Sequence, residues 1–135
     1  MKKHLLLAGA FLASCACAAS GEDAGVVVFE FVHPTHDERF RAATGDAAVI
    51  AAARAQLALP LEQRALHING DIEAGDDGVN APWSWHFVRT SWSLAEISAE
   101  VCDGWPGYIE ENLDAWLASP GFFCPWSSRV SAELR

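Results

Sequence analysis

The chain predicts an α+β domain: an antiparallel sheet of about four strands with two helices, in the order β-α-β-β-β-α, tied by one disulfide. Three observations carry that expectation. Short segments rich in β-branched and aromatic residues alternate with a period of two. Two further segments carry apolar residues at helical spacing, and two cysteines sit well inside the domain. Strands that follow one another with few helices between them favour an antiparallel sheet with helices on one face.

The first strand is Val26-Val27-Val28-Phe29-Glu30-Phe31-Val32, ended by Pro34. From Asp37 to Leu59 the chain is rich in Ala. Val49, Ile50, Ala53 and Leu57 have helical spacing, Gly45-Asp46 offers a start and Pro60 a stop. A helix is therefore expected over about Asp46 to Leu57, with an earlier helical turn around Asp37 to Ala43. In the second strand, Ala65 to Glu73, the residues Leu66, Ile68, Gly70 and Ile72 fall on one face. Asp76-Asp77-Gly78 supplies a turn. The third strand, Trp83 to Arg89, places Trp83, Trp85 and Phe87 together and is expected beside the second, antiparallel to it.

Ser93 to Asp103 carries two signals. Ser93-Leu94-Ala95-Glu96 matches a capping box, whereas Ile97, Ala99 and Val101 alternate with Ser98, Glu100 and Cys102. We read a fourth strand entered through one helical turn, because Gly104 stops the segment early. Trp105-Pro106-Gly107 is expected to turn the chain. Ile109, Leu113, Trp116 and Leu117 then mark an amphipathic helix ended by Pro120-Gly121, and the tail from Phe122 to Val130 returns to the body through Cys124.

The amino terminus reads as a targeting signal. Lys2 and Lys3 precede an apolar run, Leu5 to Ala13, well short of the about 20 residues that span a bilayer. Leu12-Ala13-Ser14-Cys15 resembles a bacterial lipobox. Residues 1–14 are thus a lipoprotein-type signal, Cys15 the lipidation site, 15–24 a tether and 25–135 one α+β domain. Plain secretion, with cleavage after Ala18 or Ala19, is the alternative. The expected location is extracytoplasmic, either anchored to the cell envelope by lipid or secreted if Cys15 carries none.

Removing the signal takes both lysines with it and leaves seven Arg against eighteen acids, a formal charge of −11. Such a surface repels nucleic acid and anionic headgroups, so neither is an expected partner, and membrane contact is expected only through the anchor. In an oxidising compartment Cys102 and Cys124, the two cysteines of the domain, are expected to join.

His33-Pro34-Thr35-His36-Asp37-Glu38 is the one cluster of metal-ligand types, to which His67 or His86 could add a further ligand. The spacing fits no stringent zinc signature, and a solvated strand-to-helix connection is the preferred reading. Asp71, Glu73, Asp76, Asp77 and Asn80 gather around a turn, but counted from Asp71 an EF-hand loop would need Gly where Asp76 stands and Glu where Pro82 stands. No metal or cofactor is expected. Ser127 and Ser128 lie in no G-x-S-x-G elbow, the bridge consumes the cysteines, and the separation of Glu100 and Asp103 is not set by sequence. No catalytic residue is assigned. The stripe of Trp83, Trp85 and Phe87 reads first as the core side of a strand and second as a groove for sugar or peptide. Trp92, Trp105 and Trp126 fall at loops or turns.

Three blocks carry a family resemblance: Asn80-Ala81-Pro82-Trp83-Ser84-Trp85-His86, Glu100-Val101-Cys102-Asp103-Gly104 and Phe123-Cys124-Pro125-Trp126-Ser127-Ser128-Arg129. Together they resemble the N-terminal domain family named after an amoebal calmodulin-binding protein, whose other members are mostly small exported bacterial proteins. The resemblance covers most of residues 26–131. It supports pairing Cys102 with Cys124, since separate blocks contribute them, and it implies no activity. The helix with Glu110, Glu111 and Asp114 lacks Lys and Arg and does not match a basic calmodulin target.

The blocks allow two roles. As a staple, Trp126 would pack beside the bridge and Arg129 would pair with Asp103 or Glu100. As a binding surface, the candidate ligand-binding residues are Trp83, Trp85, His86, Asp103, Trp126 and Arg129. The expected function is a surface-tethered, non-catalytic module that binds an extracellular protein, peptide or glycan. The alternatives are an inhibitor of an extracellular hydrolase and a small metal-dependent hydrolase built on His33 to Asp37.

Overall fold

β1 (Val27–His33) is the central strand of a three-stranded antiparallel sheet, and its composition explains the position. Phe29 and Phe31 enter the main core, while Val28 joins Val26, Ala43 and Val79 in a smaller cluster. A strand that is apolar on both faces has to be covered on both. The computed structural model describes residues 25–135, so the signal, the tether and the Cys15 assignment lie outside the described residues.

β2 (Glu38–Thr44) folds back on β1 in register from His33↔Glu38 to Val27↔Thr44, and β7 (Arg129–Glu133) pairs with the other edge of β1. The helical turn expected around Asp37 to Ala43 is therefore a strand. Phe40, Ala42 and Thr44 alternate with exposed Arg39 and Arg41, and pairing with β1 outweighs the helix preference of alanine. The chain reverses just before β2, where Asp37 adopts φ 51°, a left-handed conformation that Asp tolerates better than most residues.

α1 (Ala47–Leu57) forms where expected. The Asp46 carboxylate accepts from Ala48 N at 2.8 Å and Val49 N at 3.1 Å, which caps the first turn, and Val49 and Ala53 face inward. After the helix, Arg64 donates to the carbonyls of Leu59 and Val130 and so ties its exit to β7.

β3 (His67–Ala74) organises the second sheet, and every partner is antiparallel. β5 (Ser93–Ala95) pairs with its start, β6 (Phe122–Phe123) with Gly70 and Asp71, and β4 (Trp85–Phe87) with its end. Ile68, Gly70 and Ile72 share the buried face, as their alternation indicates. The two sheets meet through Phe40, whose ring centroid lies 5.9 Å from those of Trp85 and Phe87 and 6.3 Å from that of Phe123.

The chain from Ser93 to Asp103 is strand only at β5 and ends in a 3-10 turn at Glu100–Cys102, the reverse of the expected helical entry. Trp105-Pro106-Gly107 does not form a turn. Pro106 instead opens α2 (Pro106–Glu111) at a first-turn position, where its missing N–H costs no hydrogen bond. The amphipathic helix divides at Asn112, with φ −123° and ψ 24°, into α2 and α3 (Leu113–Ala118), yet Ile109 and Trp116 still face the core. The α+β class, the antiparallel pairing and the Cys102–Cys124 bridge are those expected; β2, β6, β7 and the divided helix lengthen the order.

Candidate functional site

The Asn80–His86 block closes an exposed strand edge. β2 ends its sheet, so the backbone groups of Arg39, Arg41 and Ala43 on its outer side need partners. Trp83 Nε1 donates to Arg39 O at 2.7 Å, Asn80 Oδ1 accepts from Arg41 N at 2.7 Å, and Trp92 Nε1 donates to Ala43 O at 2.7 Å. Asn80, itself buried, also donates to Trp85 O. Trp85 is fully buried among Phe40, Phe87 and Phe123, and Trp83 packs half-buried against the same core. Trp85 presents no free face, Trp83 keeps part of its surface open, and Trp92 is buried. His86 lies in the β3–β4 ladder with Nδ1 2.8 Å from Gly75 O and Nε2 3.6 Å from Glu73.

The other two blocks meet at the disulfide. Cys102 and Cys124 are bonded with Cα atoms 5.1 Å apart, and Cys124 N donates to Cys102 O. The Asp103 carboxylate accepts from Gly104 N at 2.8 Å and Trp126 N at 2.9 Å. Trp126 Nε1 reaches Ala99 O at 3.4 Å, and its ring lies nearly parallel to that of His67 at 6.0 Å. Arg129 Nη1 donates to the carbonyls of Trp126 and Ser128 at 2.7 and 2.6 Å, in place of the expected ion pair with Asp103 or Glu100. So Asp103, Trp126 and Arg129 come together, while Trp83, Trp85 and His86 belong to the sealed edge and the second sheet.

Compared with known protein families, residues 25–135 match the BP-74 N-terminal domain, the family named after the amoebal calmodulin-binding protein. The chain belongs to that family. No curated protein and no solved structure matches it. Within this family domain the C-terminal blocks brace a loop, residues 96–101, where the sequence alternation predicts part of a strand. Ser98 Oγ is held 2.7 Å from His67 Nε2 and accepts from Asn69 Nδ2 at 2.8 Å. Ala99 and Cys102 are held by Trp126 and the bridge. With those residues turned inward, Ile97 is left 80% exposed and Val101 63% exposed. Alternation along the sequence marks both as apolar; only the tertiary neighbours decide that none of the described residues covers them.

Ser98 and His67 form the kind of pair a nucleophile and base would make, but the rest of a catalytic arrangement is missing among the described residues. His67 is 2% exposed, Asn69 donates to the hydroxyl, and Asp103, the nearest electrostatic partner of opposite sign, is engaged with backbone N–H groups. In the His33–Asp37 cluster only His33 is buried, and residues 34–37 are exposed. His36 stacks on Trp105 at 4.3 Å, and among the described residues no three His, Cys, Asp or Glu side chains gather as a metal site.

Burial lowers the pKa of both His33 and His67 from the ordinary 6.5, aided by His36 at the first and Arg129 at the second. Glu38 and Asp103 oppose the shift at His33, and Asp103 opposes it at His67. Below 6.5 the unfolded chain takes up protons that the native state refuses, so stability is full above that value and falls on acidification until the native imidazoles titrate. Urea midpoints measured from about pH 7.5 down to about pH 5 should therefore decline, and His67→Gln should flatten the decline. A midpoint that rises over that window contradicts the account.

Proposed function

We propose that this protein is an exported, lipid-anchored interaction module without catalysis, which recognises an extracellular protein through the loop at 96–101. The observation that carries the reading is the pairing of exposure with bracing. Ile97 and Val101 stand out from a segment held at Ser98, Ala99 and Cys102, and exposed Trp105 and Tyr108 follow directly along the chain. Grouped apolar exposure marks interaction sites, and a loop fixed before binding loses little conformational entropy on docking. The disulfide accords with an oxidising, extracytoplasmic compartment, and among the described residues no helix is long and apolar enough to cross a membrane. A lipid on Cys15 would hold the module at the envelope surface.

The test is capture from the native envelope or medium. The double variant Ile97→Glu, Val101→Glu should lose the captured partner while unfolding within about 0.5 kcal/mol of the parent, because both side chains are already in water. Equal capture by parent and variant would place the binding surface elsewhere. The exposed, braced side chains of the same loop favour one more specific role, inhibition of an extracellular hydrolase by occupation of its cleft. In that case the captured partner would be a hydrolase, and the parent, not the double variant, would slow it.

A further inference from the structure

Six of the seven arginines of this acidic domain fall into two groups. Arg39 and Arg41 pair with Glu30, Arg54 with Glu133 and Arg89 with Asp77. Arg64 and Arg129 instead donate to backbone carbonyls. Both line one open groove of about 490 Å³, a volume suited to a small ligand or a few peptide residues. Pro34 and Leu61 give the groove apolar walls, and Thr35 and Ser127 add hydroxyls. Glu62 also borders it but lies within ion-pair distance of neither guanidinium.

Arg129 is the informative residue. Nη1 spends both of its protons on the carbonyls of Trp126 and Ser128, which fixes the plane of the guanidinium. Nε and Nη2 have no hydrogen-bond partner among the described residues. The side chain is partly buried, and burial pulls its pKa below the ordinary value. A partly desolvated cation needs a counter-charge, and the sixteen acidic side chains among residues 25–135 supply it none. The Nε and Nη2 edge of a guanidinium matches the two oxygens of a carboxylate.

The geometry points to a carboxylate-binding groove, with Arg129 as the bidentate anchor, that takes the C-terminal carboxylate of a peptide ending in an apolar residue. The carboxylate neutralises Arg129, and the last side chain lies against Pro34 and Leu61. Arg64, committed to three carbonyls, contributes long-range attraction more than a direct bond. A carboxylate without an apolar neighbour would leave those walls wet. An internal acidic side chain would have to lead its chain onward over a surface of net negative charge. This site is independent of the loop at 96–101.

The experiment titrates the full chain with acetyl-Ala-Leu bearing a free C-terminus, with the same peptide as its C-terminal amide, and with acetate. The readouts are the arginine Nε–H resonances and the dissociation constant. The free acid should shift the Arg129 Nε–H resonance, with the amide and acetate at least about tenfold weaker. Arg129→Gln should remove the preference for acid over amide, and Arg54→Gln and Ile97→Glu should leave it intact. Should Arg129→Gln fail to fold, the resonance shift in the parent decides alone. Equal binding of acid and amide, binding of acetate as tight as the peptide, or an unmoved Arg129 resonance would each overturn the assignment.

Discussion

Replacing Cys102 and Cys124 together by alanine is expected to cost about 3 kcal/mol of unfolding free energy. The bridge closes a loop across a sequence separation of 22 residues, and that figure is the chain entropy the unfolded state regains when such a loop opens. For a domain of this size the loss corresponds to a fall in melting temperature of roughly 10–20 °C. Both cysteines are fully buried, so the truncation also leaves unfilled space that can only deepen the effect. The change should reach further than global stability. Loop 96–101 loses its C-terminal brace, so limited proteolysis should move to that loop in the variant and spare it in the parent. A melting temperature that stays within about 3 °C of the parent would mean that the backbone contacts around Asp103 and Trp126 hold the region unaided.

Gly70→Ala is the second large effect. A Cβ at this position would lie 2.5 Å from Trp92 Cβ and 2.6 Å from Trp92 Cα, so the methyl meets backbone that no rotamer change can move. Trp92 cannot withdraw cheaply. Its indole donates to Ala43 O and packs edge-on against Phe29 and Phe31, which makes it a link between the two sheets. The expected loss is about 3 kcal/mol, at the upper end of what overpacking costs. Gly104→Ala supplies the comparison: its Cβ would make only ordinary contacts, the nearest 3.7 Å away on Phe123, and the loss should stay below about 1 kcal/mol. If the two variants unfold alike, the close approach of β3 to Trp92 is not what glycine serves there.

These two sites show different degrees of legibility. The bridge was readable because it depends on counting: residues 25–135 hold two cysteines, and separate family blocks supply them. The alternation of Leu66, Ile68, Gly70 and Ile72 placed Gly70 on the buried face of a strand, but nothing local says why that place is empty. The reason is Trp92, a residue well along the chain that the sequence left in a loop. The same holds for the Asn80-Ala81-Pro82-Trp83 block, whose hydrogen bonds reach 39 to 44 residues back to seal β2. Its tryptophans read first as core and second as groove lining because aromatic side chains serve both, and only the position of the strand edge shows which backbone groups they seal.

What the sequence determined by itself rests on short-range signals. Period-two and helical spacing fixed the α+β class, the Asp46 cap and Pro60 bounded α1, cysteine number identified the bridge, and the three blocks identified the family. Tertiary structure alone decided that the Ala-rich segment after Asp37 is β2 and that Ile97 and Val101 remain in water. It also decided that Arg129 keeps two nitrogens without a hydrogen-bond partner among the described residues. The physical reason is common to all three: a residue's local preference is worth tenths of a kcal/mol, whereas strand pairing, burial and counter-charge are set by residues far along the chain and are worth several times more.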